Sequence, residues 1–222
     1  MNRDRFKGAP WMSDKELTVL IGGAGGIGSW TALLLKRAGF EIGIYDDDTI
    51  ESHNLGGQLF RKSDIGTPKV DAVEDVIKQF CGEEITTFNE RVVEDSMTNG
   101  LVVMAFDNMK ARKVMYESWK KEFGNNPIAL LIDGRLIAEQ IQVFCIRGNS
   151  ADMTTYEKEH LFDDEEVEDA ACTFKQTSHF AAGIAFLITT FLTNHVANVL
   201  EKNEGRQIPF FTQYYGPLNM FE

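Results

Sequence analysis

Cysteine and basic residues are both scarce in this sequence. The three cysteines, Cys81, Cys145 and Cys172, contain no CxxC pair, which disfavours a disulfide framework and a four-cysteine zinc site, so no zinc is expected. With 22 Lys and Arg residues against 34 Asp and Glu residues, the net charge is −12. Nucleic acid is therefore not an expected partner, because a protein that binds a duplex needs a basic stripe.

Signals for secretion or membrane insertion are also lacking. The first eleven residues carry charges without the apolar segment of a signal peptide, and the low cysteine content fits a reducing cytoplasm, which is the location we expect. The apolar stretch 181–200 contains Thr, Asn and His residues that a transmembrane helix would tolerate poorly. We expect a core or dimer-interface helix there, and no membrane contact.

Apolar runs and amphipathic segments alternate along the chain. The apolar runs predict strands, and several of the segments between them predict helices. The strands are expected at 17–21, 41–45, 85–89, 101–106, 128–132 and 140–146, and the helices at 29–38, 68–80 and 111–123. This alternation predicts an α/β fold with a Rossmann-like, doubly wound, mostly parallel sheet and helices on both faces.

Three further segments complete the predicted domain. Residues 1–16 are expected to form an N-terminal arm, and the acidic residues 149–171 a solvated, crossover-type loop. The aromatic tail 208–221 is expected to add a final strand. The chain is thus assigned to one domain over residues 1–222, a length that fits a single globular unit.

A glycine-rich turn follows the first predicted strand. Gly23, Gly25 and Gly28 match the pattern GxGxxG, and the chain then enters a helix. The first glycine permits the tight turn, the second lets backbone N–H groups approach a phosphate, and the third lets the helix pack closely on the strand. Asp46, 18 residues after Gly28, is placed to accept hydrogen bonds from ribose hydroxyls. The turn predicts a nucleotide ligand without distinguishing NAD, FAD, S-adenosylmethionine and ATP.

Further motifs narrow the choice of nucleotide. The second strand ends in Asp46–Asp48, which is followed by His53–Leu55 and Gly66–Lys69, and Asp107–Arg112 follows a later strand. Together they resemble the adenylating enzymes of the ThiF/MoeB family, relatives of the ubiquitin-activating enzymes. The family patterns are D-x-D-x-V, S-N-L-x-R-Q, G-x-P-K and D-N-x-x-x-R. The resemblance extends over about residues 17–200.

This resemblance implies an ATP- and Mg²⁺-dependent adenylyltransferase. Members of the family activate a C-terminal carboxylate by its attack on the α-phosphorus of ATP, which yields an acyl adenylate and pyrophosphate. The implied partner is a small ubiquitin-like or sulfur-carrier protein that ends in Gly-Gly. The implied assembly is a homodimer.

The resemblance also assigns residues to the nucleotide. Asp46 would hold the ribose, with Asp48 in the same acidic group. Asn54 and Gln58 would hydrogen-bond the phosphates, and Lys69 would pair with them as a point charge. These residues form the expected nucleotide site together with the glycine turn.

Two arginines and two carboxylates remain near predicted strand ends. Asp107 would bind Mg²⁺, which commonly takes one or two carboxylates plus substrate phosphates. Arg112 is assigned to the nucleotide site by the resemblance, and it would either orient the loop that carries Asp107 or form a surface salt bridge. Asp133 and Arg135 follow the predicted strand 128–132, and Arg135 would either bind a carboxylate or phosphate or support the fold in an ion pair.

Three further matches to the family concern the catalytic cations and the nucleophile. Gly57 stands where the family has an arginine, so either Arg61 takes that role through a one-residue gap or the activity is altered. Arg5, in a segment similar to R-Y-x-R, would reach the partner protomer's ATP or belong to a frayed terminus. Cys172 would be either a thioester- or persulfide-accepting nucleophile or a plain buried thiol.

Two other functional classes stay open. One is a Rossmann oxidoreductase that uses NAD or FAD, although Lys69 and the Asp107 motif would have no evident task in it. The other is a family member that keeps the fold and the nucleotide but has lost turnover, with Gly57 as the mark of that loss.

Overall fold

The computed structural model describes residue 4 and residues 7–162, 177–202 and 205–222. Within these residues one sheet contains all the named strands. The strands are β1 (Thr18–Gly22), β2 (Glu41–Tyr45), β3 (Thr86–Phe88), β4 (Leu101–Met104), β5 (Leu130–Ile137), β6 (Gln140–Arg147), β7 (Phe211–Tyr215) and β8 (Met220–Phe221). Their order across the sheet is β3-β2-β1-β4-β5-β6-β7-β8.

Helices connect the strands of the first half of the sheet. The α-helices in the described ranges are α1 (Gly26–Ala38), α2 (Lys69–Cys81), α3 (Met109–Phe123), α4 (Ser150–Glu159) and α5 (Ser178–Glu201). Strands β3, β2, β1, β4 and β5 are parallel to one another, whereas β6, β7 and β8 each pair antiparallel with the strand before them. The predicted Rossmann-like, mostly parallel sheet is therefore confirmed.

Helices cover both faces of this sheet. On one face α1, α2 and α5 pack together over an aliphatic core that includes Ile21, Val103 and Ile188. On the other face α3 and α4 cover a more aromatic core that includes Trp119 and Tyr156. Because parallel strands end at the same edge, the residues that follow β1, β2 and β4 are brought together at one side of the sheet.

The prediction of an acidic loop over residues 149–171 is wrong for its first part, because Ser150–Glu159 form helix α4. Asn149 caps this helix, since its side chain accepts a hydrogen bond from the Asp152 backbone N–H at 2.9 Å. Tyr156 is the only buried residue of α4, so the segment has no apolar period that would indicate a helix. Residues 163–171 of the predicted loop lie outside the described residues.

Other element boundaries differ from the prediction in informative ways. Strand β5 continues to Ile137, five residues beyond the predicted end at 132, because it pairs with β6 over its whole length. The aromatic tail forms the β7–β8 hairpin instead of a single strand. Helix α5 begins at Ser178 and ends at Glu201, close to the predicted apolar helix.

The apolarity of α5 is explained by its position in the fold. By length and composition this helix meets the criteria for a membrane span, yet most of its apolar window is buried inside the protein. It packs on α1, β5 and β6, and Ile184, Ile188 and Leu192 are fully buried. A core helix of this kind needs no membrane to account for its composition.

A buried histidine on α5 makes stability depend on pH. His195 is 5% exposed and its Nε2 lies 2.9 Å from Ile128 O, and burial lowers the pKa of this histidine. Because the folded protein holds the ring neutral, the stability from His195 is complete above its unfolded pKa of about 6.5 and is lost as the pH falls toward the folded value. In His195→Gln, we expect the stability lost between pH 7.5 and 5.5 to shrink by up to about 1.4 kcal/mol. Urea unfolding of both proteins at the two pH values measures this difference, and an equal loss in both would contradict it.

Candidate active site

The glycine turn between β1 and α1 has two glycines that the fold requires and one that it does not. Gly23 has a φ of 95°, and a Cβ there would lie 2.7 Å from Ala105 O. A Cβ on Gly28 would lie 1.8 Å from Gly23 O. A Cβ on Gly25 would meet only Gln58 Nε2, at 3.9 Å, and its φ of −73° is open to other residues. Gly25 therefore faces open space, as a backbone that receives a phosphate would.

Asp46 is tied to this turn. Its Oδ2 accepts a hydrogen bond from the Ala24 backbone N–H at 2.7 Å, and its Oδ1 accepts one from the Asp48 N–H at 2.9 Å. Burial raises the pKa of Asp46, although the ammonium of Lys69 acts in the opposite direction. A carboxylate has about four acceptor positions, so these two bonds leave Asp46 able to accept from ribose hydroxyls.

Lys69 lies beside the same acidic strand end. It is the first residue of α2 and is 8% exposed. Its Nζ lies 2.5 Å from Asp48 Oδ2 and 3.8 Å from Asp46 Oδ1. The backbone N–H of Lys69 also donates to Asp48 O at 2.9 Å. The structure thus joins the two motifs that contain Asp48 and Lys69 into one charged cluster.

The loop between β2 and α2 is anchored on the helices around the glycine turn. Ser29 Oγ accepts from the Leu59 N–H at 3.1 Å, and Trp30 Nε1 donates to Gly57 O at 3.2 Å. Ser178, at the start of α5, donates to Gly56 O at 2.8 Å. No sequence motif pointed to Ser29, Trp30 or Ser178, because each contacts a residue distant along the chain.

The two amides of this loop have different surroundings. Asn54 is buried, and its Oδ1 accepts from the Glu51 N–H at 2.8 Å, so it stabilises the loop itself. Gln58 Oε1 is buried without a hydrogen-bond partner, and Gln58 Nε2 points toward Gly25. An unpaired buried acceptor is costly. Gln58 is therefore the amide with unused hydrogen-bonding capacity at the turn.

Arg61 is held away from the glycine turn. Its Nε donates to Asp64 Oδ2 at 3.0 Å, and its Nη2 pairs with Asp75 on α2. The position of the missing family arginine is taken by Gly57, which is buried under Trp30. A role for Arg61 at the phosphates stays a prediction, and it would require these ion pairs to open.

Asp107 lies at the carboxyl end of β4, next to the glycine turn. The backbone of this strand end contacts Gly23 through Ala105 O. The Asp107 carboxylate is exposed, and Asn108 Nδ2 donates to its Oδ1 at 3.1 Å. Asn108 also caps α3, because its Oδ1 accepts from the Ala111 N–H at 2.8 Å. Within the described ranges no group of three His, Cys, Asp or Glu side chains converges, which leaves Asp107 as a single carboxylate of the kind Mg²⁺ uses with phosphates.

Arg112 is buried beneath the Asp107 turn. It is 5% exposed, and its guanidinium donates to Phe106 O, to Gly134 O and to Asp133. These contacts fix the turn that presents Asp107, and they do not correspond to a surface salt bridge. A direct contact of Arg112 with the nucleotide stays a prediction.

Asp133 and Arg135 lie within β5, and not after a strand as the sequence suggested. Arg135 Nε lies 2.8 Å from Asp133 Oδ2, and Arg135 Nη2 donates to His160 O at 2.8 Å. The guanidinium also stacks over the Phe144 ring at 4.7 Å. Of the two interpretations of Arg135, these contacts match the ion pair that supports the fold.

The remaining catalytic candidates are Cys172 and Arg5, whereas the other two cysteines are buried. Cys81 and Cys145 are 5% and 0% exposed, and burial raises the pKa of the Cys145 thiol, so both have the character of structural residues. Cys172 and Arg5 lie outside the described residues, and their assignments stay predictions.

Comparison with known proteins identifies related sequences. The sequence profile of the ThiF family matches residues 14–222. The adenylyltransferase and sulfurtransferase MOCS3 of Culex quinquefasciatus is 33% identical over 112 residues, which cover 47% of this chain and 26% of that protein. The SUMO-activating enzyme subunit uba-2 of Caenorhabditis elegans is 35% identical over 103 residues, which cover 42% of this chain and 18% of that protein. The matched part thus spans about a quarter or less of these relatives.

Comparison with solved structures identifies the same fold. Escherichia coli MccB, solved with ATP, superposes with a TM-score of 0.68 at 16% identity and covers 93% of this chain and 62% of MccB. Escherichia coli tRNA N6-threonylcarbamoyladenosine dehydratase, TcdA, gives a TM-score of 0.62 at 18% identity, and the match covers 92% of this chain and 97% of TcdA. At these identities the likeness concerns the fold alone.

Proposed function

The chain belongs to the ThiF family, and on that basis we propose that it is an ATP-dependent adenylyltransferase. Its substrate is the C-terminal carboxylate of a small ubiquitin-like or sulfur-carrier protein that ends in Gly-Gly. The observation that carries the proposal is the meeting of the open glycine turn, the Asp46–Lys69 cluster and Asp107 at one edge of the sheet. In the family, adenylation uses this set of residue types.

The residues present fit a nucleotide. The space over Gly25 accepts a phosphate, and the N-terminus of α1, which has no side-chain cap, offers backbone donors and a positive dipole end. The unpaired Gln58 Oε1 suits a hydroxyl or amino donor of the nucleotide, while Nε2 faces the turn. Mg²⁺, held by Asp107 and the phosphates, would neutralise charge on the triphosphate.

Adenylation depends mainly on the positioning of the reactants and on cationic stabilisation of the transition state. A carboxylate oxygen of the carrier forms a bond to the α-phosphorus, and the bond from this phosphorus to pyrophosphate breaks. Lys69 is buried at the site and supplies a point charge for the phosphates. Asp46 orients the ribose and keeps the turn in place through Ala24. The products are the acyl adenylate and pyrophosphate.

Several relatives support this choice of partner. Among the similar proteins are an adenylyltransferase and sulfurtransferase and a SUMO-activating enzyme subunit. We propose that the protein is cytoplasmic and forms a homodimer. The dimer is favoured by an apolar face of α5 and β8, which exposes 61% of Phe186 and 64% of Phe221. Sedimentation of the purified chain tests the assembly.

A second candidate function is nucleotide binding without turnover. It is favoured by Gly57 in place of the expected arginine and by the ion pairs that hold Arg61 on Asp64 and Asp75. Loss of a cation that acts on the transition state would slow adenylation without preventing ATP from binding.

One experiment separates these functions. Carrier proteins that end in Gly-Gly are added to the purified chain with ATP and Mg²⁺, and exchange of labelled pyrophosphate into ATP is followed together with mass spectrometry of the carrier adenylate. Exchange that requires the carrier supports adenylation. Tight ATP binding without exchange supports the second candidate. An absence of ATP uptake in the presence of Mg²⁺ overturns both.

Cys172 is expected to act only after adenylation. We predict that Cys172→Ala retains pyrophosphate exchange and loses any covalent carrier adduct, because the thiolate is the attacking group in the transfer and not in the first step. Peptide mapping of the wild-type adduct checks the assignment, with Cys81→Ala as the control that leaves the adduct unchanged. An adduct on Cys81 or Cys145 would refute it.

A further inference from the structure

A buried ion-pair network lies beneath the carboxyl end of the sheet. Asp133 is 0% exposed and pairs with Arg112 of α3, Arg135 of its own strand and Tyr156 of α4. Arg135 Nη2 lies 2.7 Å from Asp133 Oδ2, and the Tyr156 hydroxyl donates to this same oxygen at 2.8 Å. Donors from three elements therefore share one carboxylate.

This carboxylate sets the direction of the Arg112 guanidinium. Arg112 Nη1 donates to Asp133 Oδ1, and both terminal nitrogens lie 3.2 Å from Gly134 O. Nη2 also donates to Phe106 O, and Phe106 immediately precedes Asp107. A buried guanidinium is costly without its carboxylate, so Asp133 keeps Arg112 in one place and thereby fixes the turn that presents Asp107.

The geometry points to Asp133 and Tyr156 as positioning residues for the magnesium-bound nucleotide, acting through Arg112 on Asp107. The inference rests on the proposed function. It also gives α4 a role. Tyr156 is the one buried residue of that helix, and its hydroxyl completes the set of hydrogen-bond donors around Asp133. The helix is thus coupled to the Asp107 turn through a chain of charge-assisted hydrogen bonds.

Two substitutions test this coupling by ATP calorimetry, with Mg²⁺ and again with EDTA in its place. Tyr156→Phe removes the hydroxyl but keeps the ring packing on Tyr116 and Phe144, at centroid distances of 5.2 and 6.1 Å. We expect the Kd for ATP with Mg²⁺ to rise about three- to tenfold and the Kd in EDTA to stay unchanged. Asp133→Asn should raise the Kd with Mg²⁺ further and also leave the Kd in EDTA unchanged. If Asp133→Asn does not fold, Tyr156→Phe alone decides the question.

Tyr116→Phe is the matched control. Tyr116 is equally buried, but its hydroxyl donates to Glu157 Oε1 at 2.6 Å and has no link to Arg112. We expect it to leave both Kd values unchanged, and we expect Tyr156→Phe to add nothing in an Asp107→Ala background. The inference is overturned if Tyr156→Phe raises the Kd for ATP equally with Mg²⁺ and in EDTA, or if it leaves both Kd values unchanged. It is also overturned if Tyr116→Phe changes the two Kd values in the same way as Tyr156→Phe. A wild-type protein that binds no ATP would overturn the proposed function as well, which distinguishes the two failures.

Discussion

Replacing Asp107 with alanine is expected to lower carrier-dependent pyrophosphate exchange by about 10²- to 10³-fold while the fold stays intact. The carboxylate is exposed at the end of β4, and the hydrogen bond recorded for it comes from the neighbouring Asn108. Its removal therefore costs folding little. Its proposed partner is the Mg²⁺ ion on the triphosphate, which its carboxylate would help to hold in place. Exchange rates and thermal unfolding of the variant measure the two effects separately.

Asp95→Ala provides the comparison for this experiment. Asp95 is an exposed carboxylate in the loop before β4, so its removal changes the net charge by the same amount at a place without motif residues. We expect full exchange activity in Asp95→Ala. Undiminished exchange in Asp107→Ala would remove this residue from the mechanism, and an equal loss in both variants would indicate a general effect of charge.

The first half of the fold could be predicted because its signals are local. Strand β1, the glycine turn and α1 follow one another within 21 residues of sequence, and each is marked by an apolar run or a required glycine. The second half depends on contacts between distant segments. Strand β5 tolerates Asp133 and Arg135 in its buried part because these residues pair with each other and with α3 and α4. From the sequence alone, a charged pair of this kind predicts the end of a strand.

The same distinction holds for the candidate site. The sequence placed Asp46 and Asp107 at strand ends and Lys69 near the start of a helix, and the parallel order of β2, β1 and β4 brings the strand ends together. Spacing could not show that Asp75 would hold Arg61, or that Trp30 would hold the carbonyl of Gly57. Such hydrogen bonds depend on how α1 and α2 pack beside the loop, and no local pattern encodes that packing.

Two alanine substitutions in the glycine turn should separate folding from nucleotide binding. In Gly28→Ala the added Cβ would lie 1.8 Å from Gly23 O, a backbone atom of the turn directly after β1, so we expect a loss of about 3 kcal/mol or more in the free energy of unfolding. In Gly25→Ala the nearest atom is the end of the flexible Gln58 side chain at 3.9 Å. We expect this variant to keep its stability within about 1 kcal/mol and to bind ATP at least about tenfold more weakly, because the methyl group occupies the place of closest approach between backbone and phosphate.

Gly100→Ala is the control for the Gly25 variant, since its Cβ also meets only ordinary contacts, at 3.8 Å, but lies before β4 and away from the turn. Urea unfolding and ATP calorimetry of the three variants give the full comparison. The fold explains Gly23 and Gly28 through backbone contacts, whereas nothing in the described protein explains why position 25 has no side chain. A ligand that needs bare backbone there supplies the reason. Wild-type affinity for ATP in Gly25→Ala would mean that the phosphates do not lie over this turn, and the assignment of Asp46, Lys69 and Asp107 to one nucleotide would lose its geometric basis.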